Sequence, residues 1–198
     1  QPIQTMSEEE EEEDDEEKEG DDDAIWYDEA TGAPIGRWRT SLCSCCDVVT
    51  QSTFWMGLCC TPVLIAQLIT RLGLTWNGRP GPPEETSLSF NRILMSLMIA
   101  LGLWKIPLLG GIALFAYVML IVVYVGSHVR AHVRQKYKVP ATLPGYCGGE
   151  RFDDGCCMLW CGCCSSIQMA RHTHDDKDYP GHGCTTTGLG FDAPQIVQ

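Results

Sequence analysis

The sequence lacks the signatures of an enzyme. It has no Gly-x-Ser-x-Gly elbow, no Walker loop and no dinucleotide-binding glycine fingerprint. It also lacks an Asn-x-Ser/Thr glycosylation acceptor, because neither Asn77 nor Asn91 is followed by one. That absence fits a body facing the cytosol. Basic residues form no long stripe, which speaks against nucleic acid as a partner. The first residues are polar and acidic, so no secretory signal peptide is expected. Charge is scarcest in the middle of the chain, where residues 93–126 contain a single charged side chain, Lys105.

What is abundant is just as uneven. The formal net charge is −12 over 198 residues, but residues 1–23 alone carry fourteen acids against Lys18. The remainder has twelve acids and thirteen bases, so the body is almost neutral. A polyacidic segment buries too little apolar surface to offset its ordering entropy, so residues 1–24 are expected to be a disordered tail. It reads either as a solvated spacer or as a docking segment for cations or a basic protein partner. Residues 25–171 read as one cysteine-rich membrane domain, and residues 172–198 as a polar, irregular C-terminal tail.

Thirty-four residues with one charge are too many for a soluble core helix. As one straight helix they would extend about 51 Å, against a hydrocarbon core of about 30 Å. Lys105, Pro107, Gly110 and Gly111 form a breaker in the middle. Two arrangements follow: a hairpin across 93–126, or a single span over 108–126 with 93–105 on the surface. Arg71, Arg79 and Arg92 precede the stretch, while Arg130, Arg134, Lys136 and Lys138 follow it. Basic flanks stay in the cytosol, so the hairpin is the expected form. Residues 54–70 are also uncharged and long enough for a third span, but they contain Cys59, Cys60, Pro62 and Gln67, and read rather as a re-entrant or interfacial helix. Residues 156–170 are too short to span and carry Met158, Leu159, Trp160, Ile167 and Met169, which suits a second interfacial helix. The expected fold is therefore mainly α: a membrane helical hairpin flanked by two Cys-rich interfacial helices. The lipid bilayer is the first expected partner.

Twelve cysteines concentrate beside these apolar segments. A cytosolic face is reducing, so disulfides are not the first explanation. Three readings remain. Thiolates suit soft or borderline metals such as zinc, with Cys156, Cys157, Cys161, Cys163 and Cys164 as candidate ligands and Cys59 and Cys60 opposite them. Cysteines beside membrane segments are also sites of S-palmitoylation, which singles out Cys59, Cys60, Cys163 and Cys164. The third reading is plain packing, since Cys tolerates burial. His128 and His132 share a helix face at i, i+4 but lack the glutamate of a His-Glu-x-x-His site. His172, His174, His182 and Cys184 cluster in sequence with Asp175, Asp176 and Asp178 as a further loop site.

Four pieces of sequence together resemble the placenta-specific-eight-like cysteine-rich family. That family includes cornifelin, the plant cadmium-resistance proteins and the cell-number regulators. The pieces are Trp38-Arg-Thr-Ser-Leu-Cys43, Gly57-Leu-Cys59-Cys60-Thr-Pro62-Val-Leu-Ile-Ala-Gln67, Arg130-Ala-His-Val-Arg134-Gln-Lys136-Tyr137 and Asp154-Gly-Cys156-Cys157-Met-Leu-Trp-Cys161-Gly-Cys163-Cys164-Ser-Ser-Ile-Gln168-Met-Ala-Arg171. The Cys-Pro-Cys of the plant metal-resistance members is absent; the corresponding stretch runs from Phe54 to Pro62 through Cys59-Cys60-Thr61. The resemblance implies a small self-associating protein of the plasma membrane or an organelle membrane. It also implies a role in zinc, cadmium or calcium handling, or in growth and cell-number control. The leading expectation is an oligomeric metal-handling membrane protein that is not an enzyme. The alternative is a palmitoylated scaffold or adaptor.

Overall fold

The computed structural model describes residues 26–29, 31–44, 49–106, 108–141, 149–174, 181 and 183–190. Among them the regular structure is helical, with isolated antiparallel bridges at Tyr27–Pro34 and Leu74–Pro80. The helices are α1 (Ser52–Cys59), α2 (Thr61–Arg71), α3 (Pro83–Ser87), α4 (Ser89–Leu103), α5 (Leu109–Val118), α6 (Gly126–Tyr137) and α7 (Glu150–His172). A π-helical segment, Met119–Val125, joins α5 to α6 without interruption. The acidic tail expected over residues 1–24 lies outside the described residues.

The centre of the molecule is α2. Leu64, Ile65, Ala66, Leu68 and Ile69 are each no more than 2% exposed, and α2 meets α1, α4, α6, α7 and the π-helical segment. Of the readings of residues 54–70, a single interfacial helix is therefore not what forms; a bent helix pair, which suits a broken span or a re-entrant segment, takes its place. Pro62 has no N–H to donate to the Leu58 carbonyl, and its ring would strike that carbonyl in a continuous helix. The chain breaks instead at Cys60 (φ −136°, ψ 46°), and α1 and α2 are bent by 119°. Only α1 retains exposed apolar side chains, Trp55 and Leu58.

The continuous helix Leu109–Tyr137 is long and apolar enough to cross a membrane, with a mean hydropathy of 2.3 in its most apolar window. Its 29 residues extend about 44 Å. The shorter apolar helix α4 folds back against it, where Tyr117 Oη donates to the Ile93 carbonyl at 3.0 Å. The breaker is narrower than its sequence suggests: the helices stop at Leu103 and resume at Leu109, so Gly110 and Gly111 are helical. A side chain on Gly110 would collide with the Leu103 carbonyl and come within 2.6 Å of Trp104 Cα. Gly110 thus permits close approach of two helices. Pro107 lies outside the described residues. Away from this contact, Met95, Ile99, Leu108, Ile112 and Phe115 are between 58% and 82% exposed.

Helix α7 starts earlier than expected and is not uniformly interfacial. Cys161 (φ −132°, ψ 40°) breaks it. Before the break, Phe152, Leu159 and Trp160 are exposed; after it, Ser165 to Ala170 are buried. Gly162 fits the second half against the π-helical segment, since an added Cβ would lie 2.7 Å from Val122.

Candidate functional site

The two cysteine blocks share a local geometry. Each places a cysteine at a helix break with nearly the same dihedral angles, Cys60 and Cys161. Each places a buried glutamine seven residues further on. Gln67 donates to the Gly183 and Thr185 carbonyls at 3.2 and 2.9 Å, and Gln168 donates to the Thr40 carbonyl at 2.8 Å. The glutamines therefore fasten irregular segments from opposite ends of the chain onto the helical body. The sequence carried this signal as Leu58-x-Cys60 and Leu159-x-Cys161, each with six residues before its glutamine.

The thiols around these breaks are unbridged. Cys59 and Cys60 are exposed, directly after Trp55 and Leu58. Cys156, Cys161, Cys163 and Cys164 are partly exposed, and Cys157 is buried with its Sγ 3.9 Å from Asp153 Oδ1. Cys163 and Cys164 hold their sulfurs 4.0 Å apart. Among the described residues no group of three His, Cys, Asp or Glu side chains is arranged to hold a metal ion. Cys45, Cys46, Cys147, Asp175, Asp176, Asp178 and His182 lie outside those residues.

Behind the second break lies a buried ionic core. Arg130 and Arg134 enter from α6, Asp153 and Asp154 from α7, and none is more than 4% exposed. Arg134 Nη1 reaches Asp154 Oδ1 at 3.3 Å and Asp153 Oδ2 at 3.7 Å, and its Nη2 reaches Glu150 at 3.2 Å. Arg130 Nε lies 3.4 Å from Asp154, its Nη1 donates to Gln168 Oε1 at 2.9 Å, and its guanidinium sits 4.6 Å over the Trp38 ring. Burial pushes the Asp154 carboxyl up from 3.8 to about 6, against the opposing pull of Arg134 and Arg130. In sequence these arginines belong to a basic membrane flank. The structure turns them inward and pairs them.

His172 closes this core. Its ring lies edge-on to Trp38 and Tyr137, with centroids 5.1 and 4.7 Å away. Nδ1 accepts the Arg39 backbone N–H at 3.2 Å, and Nε2 has no hydrogen-bond partner. Burial lowers its pKa from 6.5 to about 4, and Arg39 lowers it further while Asp28 opposes. The imidazole is therefore neutral at physiological pH and serves packing. His174 is also buried.

His128 and His132 have a different setting. Both line a groove of about 710 Å³ with Arg79, Ser127, Gln135 and Arg151. Sequence spacing singled out the two histidines. Nothing local marked Arg79 or Arg151, because the fold brings them there from distant segments.

A family model described as the PLAC8 family matches residues 38–172. No curated protein and no solved structure matches the chain.

Proposed function

We propose, from the premise that the chain belongs to the PLAC8 family, that it is a non-enzymatic integral membrane scaffold anchored through acylated cysteines. Helices α4 and α5 form a hairpin inserted into the bilayer, and the cysteine breaks lie at the cytosolic surface. The observation that carries this reading is that in both cysteine blocks exposed large apolar side chains lead directly into accessible thiols. Trp55 and Leu58 lead into Cys59 and Cys60, while Leu159 and Trp160, the latter 81% exposed, lead into Cys161. Tryptophan concentrates at membrane–water interfaces, and thiols at that depth are substrates for S-acylation. Each acyl CH₂ buried in lipid adds about 0.8 kcal/mol to anchoring. The acidic tail is then free to recruit a protein partner.

A second reading, metal-ion handling by an oligomer, is favoured by the adjacent Cys163 and Cys164 sulfurs. Two thiolates begin a soft-metal site, and Cys156, Cys161 or thiols of a second copy would complete it for zinc or a similar ion. One purified sample separates the readings. Acyl-biotin exchange should label the wild type and lose signal in Cys59→Ser/Cys60→Ser. Elemental analysis should find no stoichiometric metal in the same sample after zinc loading. Near-stoichiometric zinc that is lost in Cys161→Ser/Cys163→Ser, with no thioester labelling, would replace the scaffold reading with the metal one.

A further inference from the structure

The groove beside His128 and His132 is built from three segments: the turn holding Arg79, helix α6, and the start of α7. Its polar wall consists of Arg79, Ser127, His128, His132, Gln135 and Arg151, and none of its lining residues is acidic. The assembly depends on Gly78. This residue has φ 78°, a left-handed value that favours glycine, and an added Cβ would lie 3.0 Å from both His128 Cβ and the Val125 carbonyl. Only a glycine lets the turn seat so tightly against the helix.

The groove's hydrogen bonds define its chemistry. His128 Nδ1 lies 2.9 Å from the Tyr124 carbonyl, which makes that nitrogen the donor and leaves Nε2 an acceptor. Arg79 Nη2 is 3.5 Å from that Nε2. The histidine brings no negative charge, so Arg79 keeps its own charge available to a ligand. Arg151 adds a second guanidinium to the lining, and Gln135 adds an amide. Guanidinium groups bind phosphate oxygens in a bidentate fork. The groove also begins immediately past Tyr124, where the long helix turns from apolar to polar residues. In the proposed membrane orientation that is headgroup depth, where basic clusters attract anionic lipid.

We propose that this groove binds a phosphate monoester, presented by the headgroup of an anionic phospholipid. The lipid source rests on the membrane orientation; the phosphate chemistry does not. The test uses the full chain in non-ionic detergent, titrated with dioctanoyl phosphatidylinositol 4-phosphate, dioctanoyl phosphatidylcholine and inorganic phosphate. The phosphorylated lipid should bind and phosphatidylcholine should not. Affinity should fall at least about tenfold in Arg79→Gln/Arg151→Gln, on the scale of lost charge-assisted hydrogen bonds. It should be unchanged in Lys138→Gln, which alters a nearby base outside the groove. Gln135→Glu places a carboxylate at an exposed position in the wall and should weaken binding without disturbing the fold. Equal binding of inorganic phosphate would keep the site and reassign its source to a soluble ion. No binding of either phosphate probe, or equal losses in the groove variants and Lys138→Gln, would overturn the proposal. Resistance to alkaline extraction, scored separately, tests the membrane orientation alone.

Discussion

His172 shows how burial sets the behaviour of a single side chain. Its folded pKa of about 4 lies below the ordinary 6.5, so its neutral form is the one that fits between Trp38 and Tyr137. The stability it contributes is present above pH 6.5 and is lost as pH falls toward 4. Asp154 works in the opposite sense: its folded value of about 6 exceeds 3.8, so its contribution is lost as pH rises through that interval. The two effects overlap, and only a comparison isolates either one. Between pH 6.5 and pH 4 the wild type should lose up to about 3 kcal/mol relative to His172→Phe, and thermal unfolding in detergent at several pH values measures this. Parallel pH profiles would sink the assignment. Arg134 makes a second residue-scale case. Replacing it with Met removes a cation that Asp153 and Asp154 share in a buried site and should cost about 3–5 kcal/mol, seen as a lowered midpoint in chemical denaturation. An equivalent change at exposed Lys138 should cost little.

At the scale of elements, α4 and α5 show what the sequence conveyed. The run of uncharged residues announced two apolar helices with a break near Lys105. It misplaced their ends, because Ser89, Asn91 and Arg92 are polar yet continue α4, and because Gly110 and Gly111 read as breakers. Composition cannot distinguish a glycine that loosens a helix from one that lets a neighbour approach. The two glycines supply the contrast. Gly110 faces the backbone of Leu103 and Trp104, whereas nothing lies within 4 Å of a Cβ at Gly111. Gly110→Ala should destabilise the helix pair by about 1–3 kcal/mol through overpacking. Gly111→Ala should stabilise it by up to about 1 kcal/mol through helix propensity. Unfolding midpoints of the two variants, moving in opposite directions, would establish the contact; equal shifts would refute it. The break at Cys60 was likewise legible through Pro62. The break at Cys161 has no proline to announce it; beside it, Gly162 sits where an added Cβ would lie 2.7 Å from Val122.

Across the whole molecule, the contact that matters most joins segments on either side of the apolar stretch. The candidate thiols were legible because cysteines cluster in sequence. The basic groove was not, because Arg79, His128 and Arg151 meet only after α4 has folded back on the long helix. That meeting bears directly on topology. Arg79 precedes α4, His128 follows the apolar run, and their side chains are 3.5 Å apart. A single span would put a hydrocarbon core of about 30 Å between them, so of the two arrangements the hairpin proposed above is the one compatible with the contact. Both flanks then face the same compartment, as the arginines and lysines on each side favour. An epitope inserted after Pro82 and another after Pro140 should be cleaved or protected together in sealed vesicles. The first insertion falls at the N-terminus of the short helix α3 and the second in an irregular segment, so both lie outside the α4–α5 contact. Accessibility from opposite faces would require the Arg79–His128 contact to be absent in the membrane and would remove the basis of both the hairpin and the phosphate groove.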